Sequence, residues 1–138
     1  MKPVLLDTGV IVALLDRSER FHPRCVEAVE ALAAPLITCE AVIAESCHLL
    51  RRFPGAAEAV MENVALGIFQ IPFQLTRQTT EVKRILQRYR DRAIGLADAC
   101  LIHLAGELRT GEILTLDSDF AVYRWGANKP FRFLVSSE

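Results

Sequence analysis

Residues 4–16 read Val-Leu-Leu-Asp-Thr-Gly-Val-Ile-Val-Ala-Leu-Leu-Asp (VLLDTGVIVALLD), and this stretch decides the fold. Pro3 to Leu6 has the length and apolarity of a short strand buried on both faces. Asp7-Thr8-Gly9 makes a polar turn, and Val10 to Leu15 resumes as an apolar helix. A buried strand feeding straight into a helix is the opening of a parallel α/β sheet.

The pattern repeats outward. Pro23 opens an amphipathic helix with Val26, Val29, Leu32 and Ala33 on one face, and Pro35 closes it. Leu36-Ile37-Thr38 reads as a second strand, followed by a helix from Cys39 to Phe53 with Pro54-Gly55 as its stop. Pro54 starts a further helix that ends near Gly67. Ile68 to Phe73 reads as a third strand, after which Thr76 is placed to cap a helix with the core stripe Val82, Ile85, Leu86 and Tyr89. Gly95 precedes an apolar helix from Leu96 to about Leu108, with Gly111 just beyond it. Ile113 to Leu116 and Phe131 to Val135 complete about five strands. The expectation is one three-layer α/β/α domain over residues 1–138, with a mostly parallel sheet and no repeats or linkers.

Composition agrees. The chain has 138 residues, 51% of them hydrophobic and 24% charged, with a mean hydropathy of +0.25. A chain of this length buries roughly two thirds of its unfolded surface and needs no disulfide or zinc to fold. Sixteen Lys+Arg against 17 Asp+Glu leave a net charge of −1, which excludes binding of nucleic acid by bulk charge alone. Cys25, Cys39, Cys47 and Cys100 form no CxxC pair, so free thiols in a reducing cytoplasm are expected rather than a zinc site. The N-terminal apolar run is broken by Asp7 and Asp16 and lacks a small-residue cleavage site, which argues against a signal peptide. No stretch has the length of a membrane span.

Ligands of open α/β sheets bind beyond the carboxyl ends of the strands. Acids collect there: Asp7 after the first strand, Asp117 and Asp119 after the fourth. Glu45 and Asp98 interrupt helices that offer them no wet face. One such acid has an ordinary explanation as a cap or a buried ion-pair partner. Several at one sheet edge repel one another unless a cation joins them. Oxygen donors without His or Cys suit Mg²⁺ or Mn²⁺, the metals of water activation and phosphodiester chemistry.

On these residues the chain resembles the PIN-domain ribonucleases, specifically the VapC-type toxins of type II toxin–antitoxin pairs. The resemblance runs over nearly the whole chain, through VLLDTGVIVALLD, ITCEAVIAES, YRDRAIGLADACLIHLA and ILTLDSDFAVYRW. It implies that the family's three invariant acids fall on Asp7, Glu45 and Asp98, and the fourth on Asp117 or Asp119. Asp117 is favoured because it directly follows the strand. Thr8 and Thr115 match hydroxyl positions beside those acids. The resemblance further implies Mg²⁺ or Mn²⁺ as cofactor, structured RNA as substrate, and products with a 5′-phosphate and a 3′-hydroxyl. It implies a homodimer, and a small antitoxin laying a helix and a basic side chain over the acidic pocket.

Other readings stay beside this one. A family member that processes RNA without a toxin role has the same sequence features, whereas the intact set of acids counts against a catalytically silent binding module. Asp-Thr-Gly also occurs in pepsin-like half-sites, but those proteases are nearly all-β and this chain is dominated by helices. His22, His48 and His103 are scattered and read as structural, His48 lying three residues from Glu45. Arg77, Lys83, Arg84, Arg88, Arg90 and Arg92 cluster within and after one helix, either as a solvated face or as a phosphate-contacting strip in which Arg84, Arg88 and Arg92 are the candidates.

Overall fold

Val4, Leu5 and Leu6 are wholly buried, which is possible only for a strand with neighbours on both edges and helices on both faces. The computed structural model describes residues 2–138 and places this strand, β1 (Val4–Leu6), third of five in a parallel sheet. The order is β3 (Phe69–Gln70), β2 (Leu36–Ile37), β1, β4 (Glu112–Leu114), β7 (Arg132–Phe133). Val4 faces Leu36 on one side, and Leu6 faces Leu114 on the other. Burying each Leu of β1 contributes roughly 1.5–3 kcal/mol.

Helices α1 (Thr8–Leu15), α2 (His22–Glu30), α3 (Glu40–Leu49), α4 (Ala56–Ala65), α5 (Thr79–Arg88) and α6 (Leu96–Leu108) flank the sheet in a three-layer α/β/α arrangement. Helix α6 is buried without interruption from Ala99 to Ala105, because α3 and α5 both pack against it. Helix α5 buries Val82 fully and packs the half-buried Ile85 and Leu86 against the core, so its stability comes from packing on α6 rather than from its own propensity.

Several boundaries differ from expectation, each for a local reason. The third strand is two residues long rather than six, since Pro72 has no N–H to give a ladder. Thr76 caps nothing: it lies inside a 3₁₀ turn at Leu75–Arg77, and α5 begins after Gln78. Gly55, at φ 81°, starts α4 in place of Pro54. An antiparallel hairpin, β5 (Arg124–Trp125) with β6 (Lys129–Pro130), has no counterpart in the sequence reading. Its two-residue strands are too short to show a period. A tertiary contact holds it, because Trp125 lies over Gly111 and donates its indole N–H to Pro130 O at 3.0 Å.

Candidate metal centre at the carboxyl edge of the sheet

Since β1 and β4 are adjacent and parallel, the residues that follow them emerge side by side. The Asp7 amide donates to Leu114 O at 3.0 Å, which sets the end of β1 against the start of the β4 exit. Asp7 is also the N-cap of α1. Its Oδ1 accepts from the Thr8 amide at 2.8 Å, and its Oδ2 accepts from the Thr115 hydroxyl at 2.7 Å. The same Thr115 oxygen accepts from the Asp117 amide at 3.0 Å. One hydroxyl therefore ties the two strand exits together.

Asp98 reaches the edge from the first turn of α6. One oxygen each of Asp7, Asp98 and Asp117 lies within 4.8 Å of the others. They open into a cavity of about 490 Å³ that is also lined by Thr8, Glu45 and an apolar rim of Leu49, Leu96 and Leu116. Glu45 joins the lining from α3 but is exposed and stands outside the close trio. Asp119 is not in the lining. It lies two residues past Asp117 and pairs with Arg92 at 3.6 Å on the surface.

Asp117 has a second role at this edge. It caps the 3₁₀ turn Ser118–Ala121, its Oδ1 accepting from the Asp119 amide at 2.9 Å. Strand β4 ends at Leu114 rather than at Leu116, and the chain stays extended through Asp117 before it bends, so Asp117 is the residue placed to cap.

Burial and repulsion raise the affinity of this cluster for positive charge. Burial pushes the Asp7 carboxyl up against the opposing hydrogen bonds from Thr115 and Thr8, with Asp117 and Glu45 adding to the rise. Burial, then Asp7, Asp117 and Glu45, push Asp98 up to about 7. The Thr8 hydroxyl is buried in the cavity wall and has no hydrogen-bond partner among the described residues. An all-oxygen donor set, crowded carboxylates and an orphaned hydroxyl together fit a hard divalent cation.

Sequence reasoning missed Tyr123. It is buried, and its hydroxyl donates to Asp98 Oδ2 at 3.4 Å. The signal was an aromatic six residues past Asp117, which has no meaning until the chain after β4 folds back along α6. The histidines do not enter the cavity. His22 Nδ1 lies 2.6 Å from Ala13 O, His48 is exposed beside Arg51, and His103 bonds Gln78. Arg84 and Arg88 are exposed on α5, while Arg92 is held by Asp119. All four cysteines are free, and no described helix is long and apolar enough to cross a membrane.

A doubly flanked parallel sheet with carboxylates gathered at its carboxyl edge is the architecture of a PIN domain, and the PIN domain family model matches residues 4–126. The chain belongs to this family. It is 32% identical over 116 residues to Ribonuclease VapC26 of Mycobacterium tuberculosis, an alignment covering 83% of this chain and 86% of that relative. The crystal structure of Mycobacterium tuberculosis VapC20, described as a toxin that cleaves the sarcin–ricin loop, superposes with a TM-score of 0.78 at 18% identity. That match covers 86% of this chain and 93% of the other and concerns the fold.

Proposed function

We propose that the chain is a metal-dependent endoribonuclease and the toxin of a toxin–antitoxin pair. The observation that carries this reading is the trio Asp7, Asp98 and Asp117, with ligand oxygens within 4.8 Å, on a PIN-family chain whose relative is a ribonuclease. These three would hold Mg²⁺ or Mn²⁺, with Glu45 acting through water from the cavity rim. Such an ion, when bound, supplies a Lewis acid that lowers the pKa of water and balances charge on a phosphodiester in transfer.

The chain's own groups prepare the site. Thr115 and the Thr8 amide orient both oxygens of Asp7, the task that outer partners perform at metal centres. Tyr123 steadies Asp98. The Thr8 hydroxyl is left to bond a water or a substrate oxygen. Leu49, Leu96 and Leu116 give the entrance an apolar rim.

An acidic cavity with an apolar rim also suits an antitoxin segment that brings an amphipathic helix and a basic side chain, which is the inhibitory partner proposed here. Exposed Phe53, Met61 and Leu66 offer apolar surface for a homodimer. Free cysteines accord with a cytoplasmic site of action. Mapping cleavage sites on total cellular RNA, with and without divalent metal, tests the reading. Cuts that require Mg²⁺ or Mn²⁺ and vanish in Asp7→Asn are expected, and cuts that persist in that variant would overturn it.

A further inference from the structure

A second cavity, of about 410 Å³, opens between α5, α6 and β5, and its charge is opposite to that of the first. Arg88 at the end of α5, Arg109 just past α6 and Arg124 at the start of β5 line it, with His103 and Glu107. Glu107 lies 3.4 Å from His103. Among the described residues no carboxylate lies within ion-pair distance of these three arginines.

Neutral groups hold two of them instead. Arg124 Nη1 donates to the carbonyls of Ala121, Val122 and Tyr123 at 3.0, 3.2 and 3.0 Å. Arg88 Nη2 donates to Asn128 Oδ1 at 3.2 Å, and its guanidinium lies 5.1 Å from the centre of the Tyr89 ring. Such contacts aim a guanidinium without neutralising it. Three like charges drawn into one concavity repel each other, and an anion removes that cost. Gly106 and Gly126 line the cavity without projecting a side chain into it, and a Cβ on Gly106 would lie 3.8 Å from Gly126 N.

The place of the cavity indicates which anion. Asp98, Ile102 and Gly106 follow one another at four-residue spacing on one face of α6, and Ile102 and Gly106 line this cavity. It therefore starts about 6 Å along the helix axis from Asp98 and ends about 16 Å away beside Arg109. That span corresponds to about two to five nucleotides stacked at roughly 3.4 Å each. A strand held only over carboxylates would be repelled, and a chain of net charge −1 offers no diffuse compensation. We infer that the Arg88–Arg109–Arg124 cavity binds a backbone phosphate of the substrate RNA a few nucleotides from the scissile bond. The inference rests on the ribonuclease reading and adds to it where the strand runs.

The test uses full-length protein carrying Asp7→Asn, so that RNA stays intact, and a labelled RNA spanning a cleavage site mapped with the parent. Adding Arg88→Gln and Arg109→Gln should weaken binding about tenfold or more and reduce the slope of log affinity against log salt by about 1 to 2. Both side chains are exposed, and an unchanged thermal melt certifies the fold. Arg17→Gln with Arg20→Gln removes the same charge from the loop between α1 and α2 and should leave that slope unchanged. Equal slopes for the two double variants would overturn the inference. So would binding of inorganic phosphate that depends on Arg88 and Arg109 while RNA binding does not. A parent that neither binds nor cuts RNA would overturn the ribonuclease reading as well, whereas a parent that cuts RNA with an unaltered slope in the Arg88/Arg109 variant sinks this inference alone.

Discussion

Thr115 couples two of the acids, because its one oxygen donates to Asp7 and accepts from the Asp117 amide. Thr115→Val keeps the shape and removes both bonds. Apparent Mn²⁺ affinity should fall about 10–100-fold, the usual scale for lost outer partners of a metal site. Isothermal titration of metal into the folded variant measures it. The two neighbouring acids separate in the same way. Asp119 makes only a half-exposed pair with Arg92, so Asp119→Asn should cost less than about 1 kcal/mol in a denaturant melt and keep most RNA cleavage. Asp117→Asn retains an oxygen able to cap the turn, so it should fold normally while cleavage collapses. Reversed activities of these two variants in one cleavage assay would move the ligand to Asp119. Asp98 adds a pH signature. Its carboxyl sits near 7 in the folded chain against an ordinary value of 3.8, so the folded state binds the proton more tightly. Stability from this group is present below about 4 and is lost as pH rises through about 7. In chelator, the melting temperature should drop between about pH 4 and pH 7 and level off above that, and Asp98→Asn should flatten that drop.

At the scale of elements, the short hairpin β5–β6 depends on a glycine outside it. A Cβ on Gly111 would stand 2.1 Å from Trp125 Nε1 and 3.1 Å from Pro130 O. Gly111→Ala must therefore push the indole out and break its bond to Pro130. The expected cost is about 1–3 kcal/mol, the scale of overpacking, seen as a lower melting temperature and a red-shifted emission of the single tryptophan. Melting and fluorescence equal to the parent would show that the hairpin repacks freely. Helices α1 and α6 behave oppositely. Each is apolar enough to be recognised from sequence and is held by packing along its length.

Across the whole molecule, folding concentrates carboxylates that an unfolded chain keeps apart. An ion that binds only the folded arrangement must stabilise it, by about 2.7 kcal/mol at a hundredfold excess over its dissociation constant. Thermal melts in Mg²⁺ or Mn²⁺ against chelator should show that rise in the parent and little of it in Asp7→Asn. A parent indifferent to both ions would count against the metal centre. The alternation of buried runs and amphipathic helices already determined the α/β class, because apolar period and turn residues are local properties. So did the candidates Asp7, Glu45, Asp98 and Asp117, since an acid after a buried strand or inside an apolar helix stands out against its neighbours. Distances lay beyond that reading. Which acids close to within 4.8 Å, that Glu45 stays at the rim, that Asp117 rather than Asp119 is the cap, and that Tyr123 returns to Asp98 all depend on parallel pairing of β1 with β4 and on the path of the chain after it. Those are contacts between residues as many as 108 positions apart, and no local pattern carries them.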